Sequence, residues 1–148
     1  MLQSTSVYAL QPAGTDSADF QITGPATLTG DWTTGLEGMQ AVAIELRFLW
    51  GSGGTSVTAL VQSALGYDGP AYDVVQVDFA TAARTVMAEL YSGTTGLVQP
   101  AVGGIDSSGN PVVAEGLVNH VLGDRLRLVL IVTGTYTNTV LSARVLPK

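Results

Sequence analysis

Along much of the chain apolar and polar residues alternate one by one. In "QAVAIELRFLW" Val42, Ile44, Leu46, Phe48 and Trp50 fall on one face, and Ala43, Glu45, Arg47 and Leu49 on the other. A period of two sustained over this run makes a half-buried strand. "SVTALVQSA" continues less strictly, with Val57, Ala59 and Val61 opposed by Thr58, Leu60 and Gln62. "VVQVDFA" sets Val75, Val77 and Phe79 against Gln76 and Asp78, and "RTVMAELY" repeats the idea with Val86, Ala88 and Leu90. Ala is a good helix former, so "FATAARTVMAEL" could be helical, but Thr81, Thr85 and Val86 add β-branching and favour a strand. In "DRLRLVLIVTG" Leu126, Leu128, Leu130 and Val132 point inward while Arg125 and Arg127 point outward, followed by Val129 and Ile131; "YTNTVLSARVL" follows as a partner strand.

These β-branched runs, bounded by Gly, Pro, Asn and Asp, predict an all-β fold, a jelly-roll-like antiparallel β-sandwich. Residues 39–148 form the sandwich, and residues 1–38 form an extended N-terminal arm that contributes to interfaces. "VTGTYTNTV" has the spacing of a hairpin around Gly134 to Asn138. "TTGLVQPAVGGIDSSGNPVV" is a long loop of the kind that binds something or crosses between sheets.

"GSGGTS", residues 51–56, looks like a phosphate cradle until its surroundings are read. Such a loop needs a helix after it, whose N–H groups and dipole meet the anion. A strand follows instead, and the Walker spacing and its Lys are missing. The run is expected to be a four- to five-residue hairpin loop between two antiparallel strands.

Composition narrows the function classes. A chain of 148 residues, 46% hydrophobic and 12% charged, is one folded domain. The absence of cysteine removes disulfides, Cys-bound metals and thiol chemistry, and it fits assembly in a reducing cytoplasm. A net charge of −6, with its one Lys at position 148, speaks against nucleic-acid binding. No run of about 20 apolar residues suggests a membrane span, and "MLQSTSVYAL" lacks the features of a signal peptide.

Candidate chemistry is sparse. His120 and Asp124 could belong to a partial triad, but there is no G-x-S-x-G elbow. Scattered carboxylates are common at turns. Asp68, Asp73 and Asp78 recur every five residues but lack the pattern of an EF-type calcium loop. Trp32, Trp50, Tyr67 and Tyr72 could form an aromatic platform for sugars; Trp50 is in phase with the core face, so Trp32 is the better contact residue. No enzyme activity, cofactor or metal is expected. Apolar Leu49, Val129 and Ile131 on the outward faces suggest a covering subunit.

"GSGGTSVTALVQSAL", "VVQVDFATAARTVMAEL" and "VNHVLGDRLRLVLIVTGTYTNTVLSARVLP" together resemble small structural proteins of tailed bacteriophages. The likeness covers about the last 105 residues, and residues 1–38 lie outside it. Related phage proteins often carry "SLDGG.TW" after the first hairpin, where this chain has "SALGYDGPAYDV". The resemblance implies a virion structural protein, most readily a jelly-roll capsid cement or decoration protein. Its partner would be the major capsid protein, its place the capsid exterior after assembly in the host cytoplasm, and its form a homotrimer. A head–tail connector or tail-associated component is the alternative in the same biology, and a carbohydrate-binding sandwich is the alternative outside it. The contact residues expected on this reading are Trp32 and Leu36 in the arm, Leu97 and Val98 in the long loop, and Arg125 and Arg127 on the last hairpin. Deletion of residues 1–38 would then leave the sandwich folded but unattached.

Overall fold

A computed structural model describes residues 7–15, 17–67, 69–91, 116–117 and 122–148. The alternating runs become strands: β1 (Tyr8–Ala9), β2 (Asp19–Ile22), β3 (Ala26–Thr29), β4 (Ala41–Leu49), β5 (Ser52–Gly53) and β6 (Ser56–Ala64). They continue as β7 (Tyr72–Phe79), β8 (Arg84–Tyr91), β9 (Gly116–Leu117), β10 (Arg125–Thr133), β11 (Tyr136–Thr137) and β12 (Thr139–Pro147). No helix occurs among the described residues.

One sheet runs β1, β12, β4, β8, with β2 sharing the β12 edge beside β1; the other runs β3, β10, β6, β7, β9. All pairings are antiparallel. The inward residues read from the sequence are the core: Ile44, Leu46 and Phe48 face Val57, Val77, Leu128 and Leu130. The chain is an all-β sandwich of two antiparallel sheets.

The wiring differs from a chain of hairpins. β4 and β6 lie in different sheets, as do β10 and β12, so neither "GSGGTS" nor "TGTYTN" closes a hairpin. Each carries the chain across the sandwich, and the two crossings pair with one another as β5 and β11, Tyr136 opposite Gly53. The links β2–β3, β3–β4 and β7–β8 also cross between sheets, whereas β6–β7 is a hairpin within one sheet.

The crossings are locked by rings. Phe48 of one sheet stacks on Phe79 of the other at 4.9 Å, and Tyr136 meets Phe48 edge-on at 6.2 Å. The Tyr136 hydroxyl donates to the Ala80 carbonyl at 2.9 Å, tying the β10–β12 crossing to the β7–β8 crossing. Gly54 has φ 82° and lies against the face of the Tyr136 ring, where a Cβ would collide with the ring carbons. The last glycine of the run that resembles a phosphate loop makes room for an aromatic ring.

Residues 7–38 are not an arm laid outside the sandwich. β1 and β2 extend one sheet and β3 the other, and Leu10, Phe20, Ile22 and Leu36 are buried in the core. The reason is that β10 and β12 both need a partner on their outer edge, and the N-terminal segment supplies it. Trp50 also departs from expectation: it lies just beyond β4, is 37% exposed, and its indole N–H donates to the Gly53 carbonyl at 3.0 Å. Val129 is buried within the single chain beside Leu60, its register partner, and so gives no reason to invoke a second subunit; Ile131 is half-buried and Leu49 exposed.

Candidate functional site

The outer face of the β3–β10–β6–β7–β9 sheet carries a group of polar side chains held in fixed partnerships. Arg127 on β10 stands opposite Gln62 on β6, which stands opposite Asp73 on β7. A register shift between Val61 and Gln62 is a β-bulge of the kind that re-aims a side chain. Across it Val74 and Val75 both join the core, while Asp73 meets Gln62 on the outer face.

The three residues form a chain of hydrogen bonds. Arg127 Nε donates to Gln62 Oε1 at 2.9 Å, and Gln62 Nε2 donates to Asp73 Oδ1 at 2.7 Å. At the other end the Arg127 guanidinium lies over the Trp32 ring, 4.3 Å from its centroid. Trp32 is brought there because its neighbour Thr33 bridges Leu126 at the start of β10. Burial raises the Asp73 carboxyl above the usual aspartate range, against the lowering pull of the Gln62 hydrogen bond and of the Arg127 charge. Burial also lowers the Arg127 guanidinium, with Asp73 opposing.

Two positions along β10, on the same face, a second pair repeats the first. The Arg125 guanidinium lies over the Tyr67 ring at 5.6 Å, and its Nε donates to Asp124 Oδ1 at 2.9 Å. Asp124 is lowered chiefly by this hydrogen bond and Arg125 correspondingly raised. Asp124 Oδ1 also accepts from the Gly66 N–H at 3.1 Å, holding the tip of the β6–β7 hairpin. That tip presents Tyr67 at 90% exposure and Leu65 at 61%.

Three of the expected contact residues therefore lie together: Trp32, Arg125 and Arg127. Leu36 does not join them, being buried in the core, and Leu97 and Val98 lie outside the described residues. His120 and Asp68 also lie outside them. Asp73 is buried and Asp78 exposed, and among the described residues no group of three His, Asp or Glu side chains is placed to hold a metal ion. Gln62 was not singled out by the sequence, although a Gln on a strand apolar on both faces must find partners once buried.

A cleft of about 420 Å³ opens at the sandwich edge between β2 and β3, lined by Pro12, Phe20, Leu28 and several hydroxyls. Thr15 and Ser17 are engaged within their own loop, and no nucleophile–base pair forms there among the described residues. No protein-family model, curated protein or solved structure matches the chain.

Proposed function

We propose that this protein is a non-enzymatic virion structural protein that binds the outside of a capsid shell as a cement or decoration subunit. The observation that carries the reading is the pair of arginine–aromatic stacks, Arg127 on Trp32 and Arg125 on Tyr67, beside exposed Leu65. Tyr, Trp and Arg are the residue types that dominate protein–protein hot spots, because they bury large area with little loss of side-chain freedom. Both arginines are held by neighbouring side chains, so the patch is ordered before it docks, which lowers the entropic cost of binding. The resemblance of the crossing strands to tailed-phage structural proteins supplies the biological setting.

A cement subunit of this kind acts by number. Each copy contributes a modest contact across a boundary between capsid subunits, and many copies together raise the free energy needed to rupture the shell. Acidic character suits a position away from packaged DNA.

The test is composition of purified particles from the phage that carries this gene. The chain is expected in stoichiometric ratio to the major capsid protein and open to antibody on intact particles. Trp32→Ala should weaken rebinding to stripped shells at least about tenfold while the isolated protein keeps its fold. A chain absent from particles overturns the reading, and a chain present only at the copy number of a tail or connector ring overturns its decoration part.

A further inference from the structure

Asp73 and Gln76 occupy successive outer-face positions of β7 across the bulge, and each keeps one buried oxygen without a hydrogen-bond partner, Asp73 Oδ2 and Gln76 Oε1. Their exposures are 4% and 5%. A buried acceptor without a donor is destabilising, so two of them at successive outer-face positions point to a donor between them. The Gln76 amide nitrogen is directed at Asp78 Oδ1, 3.4 Å away, which leaves its carbonyl for the Asp73 side. Turning the amide round would serve Asp73 but set the carbonyl against the Asp78 carboxylate, moving the conflict rather than removing it. A proton removes it, because a carboxylic acid is a donor as well as an acceptor.

We propose that Asp73 is held as a neutral carboxylic acid in the folded protein, its Oδ2 hydroxyl donating to Gln76 Oε1, and that this proton governs how Arg127 sits on Trp32. The link is Gln62, which touches Asp73 with its nitrogen and Arg127 with its oxygen. Among the described residues the charged groups around Asp73 are few. Arg127 on β10 is reached through Gln62; Arg125, further along β10, is paired with Asp124; and Asp78 lies beyond Gln76 on β7 itself. β6 and β9 contribute no charged residue. Burial disfavours the ionised carboxyl and is the largest influence on it. Loss of the proton leaves a buried carboxylate that draws Arg127 toward Gln62 and away from the Trp32 ring. The proton is present below the raised folded pKa, so lowering the pH favours the stacked arrangement and raising it through that pKa loosens it. Its bearing on docking rests on the arginine–aromatic reading above; the proton itself does not.

The experiment is a pH titration of carboxyl-¹³C aspartate signals by NMR in chelator-treated buffer, with Asp73 assigned by the loss of its signal in Asp73→Asn. The Asp73 carboxyl should titrate above the ordinary aspartate value of 3.8. In a Trp50→Phe background the fluorescence of Trp32 should change with the same midpoint, and Asp73→Asn should abolish that change. A carboxyl that titrates at or below the ordinary value overturns the proposal, as does a midpoint lowered by added calcium chloride, which would put a cation where the proton is placed. Trp32 fluorescence that titrates unaltered in Asp73→Asn overturns the link to Arg127. If Asp73→Asn does not fold, sequential assignment of the unsubstituted chain gives the same midpoint. No shell is needed, so failure here leaves the docking reading standing, and failure of shell binding leaves the proton standing.

Discussion

Gly54 shows how much a single absent side chain can decide. Its backbone has a positive φ, and its α-carbon faces the Tyr136 ring closely enough that a methyl group would penetrate it. Gly54→Ala combines a left-handed conformation, worth about 1–2 kcal/mol for a residue with a Cβ, with overpacking worth about 1–3 kcal/mol. The expected loss is about 2–5 kcal/mol, or a fall of roughly 5–15 °C in Tm for a domain of this size. Calorimetry of the variant checks it, and an unchanged Tm would mean that the ring does not rest on Gly54. At the same scale, the sequence marks Arg127 as outward-facing and offers Trp32 as a candidate for contact, but their stacking is not legible in it. It depends on a bridge between Thr33 and Leu126 that spans 93 positions of chain, since 126 − 33 = 93.

At the scale of elements, the strands were readable and their partners were not. A period of two tells which side chains of β4 and β6 face the core. It is the same whether "GSGGTS" folds the chain back within a sheet or carries it to the opposite one, because both arrangements bury the same residues. Sheet membership is settled by distant pairings, β4 with β12 and β6 with β10, and by the stacking of the two crossings as β5 and β11. The N-terminal segment looks like an arm in the sequence for a related reason: its strands are only two to four residues long, too short for alternation to stand out. Phe20 and Ile22 nevertheless sit on the inward face of β2 and are buried. Removing residues 1–38 strips Leu10, Phe20, Ile22 and Leu36 from the core. At about 1.5–3 kcal/mol per buried side chain, that loss is comparable with the whole stability of a domain, about 5–15 kcal/mol. The truncated chain is therefore expected to lack cooperative unfolding and to be rapidly proteolysed. A truncated chain that melts cooperatively would mean that the first three strands are dispensable trim.

For the whole molecule the open matter is assembly, and charge constrains it. Each chain carries −6, so three chains brought together around an axis carry 3 × −6 = −18. Their mutual repulsion opposes association and is screened as salt rises, the Debye length falling from about 30 Å at 0.01 M to about 8 Å at 0.15 M. A trimer held by apolar and arginine–aromatic contacts should thus dissociate on dilution more readily at low salt than at physiological salt. One held by attraction between oppositely charged patches would do the reverse. Light scattering over a dilution series at both ionic strengths separates the two. A mass near three times 15.3 kDa, more persistent at the higher salt, is the result expected of a subunit built for three-fold positions on a shell. A mass of 15.3 kDa at every concentration and both salts would remove the trimer. The arginine–aromatic patch would then have to meet the shell one copy at a time, and the added strength of the shell would come only from the number of separate sites filled.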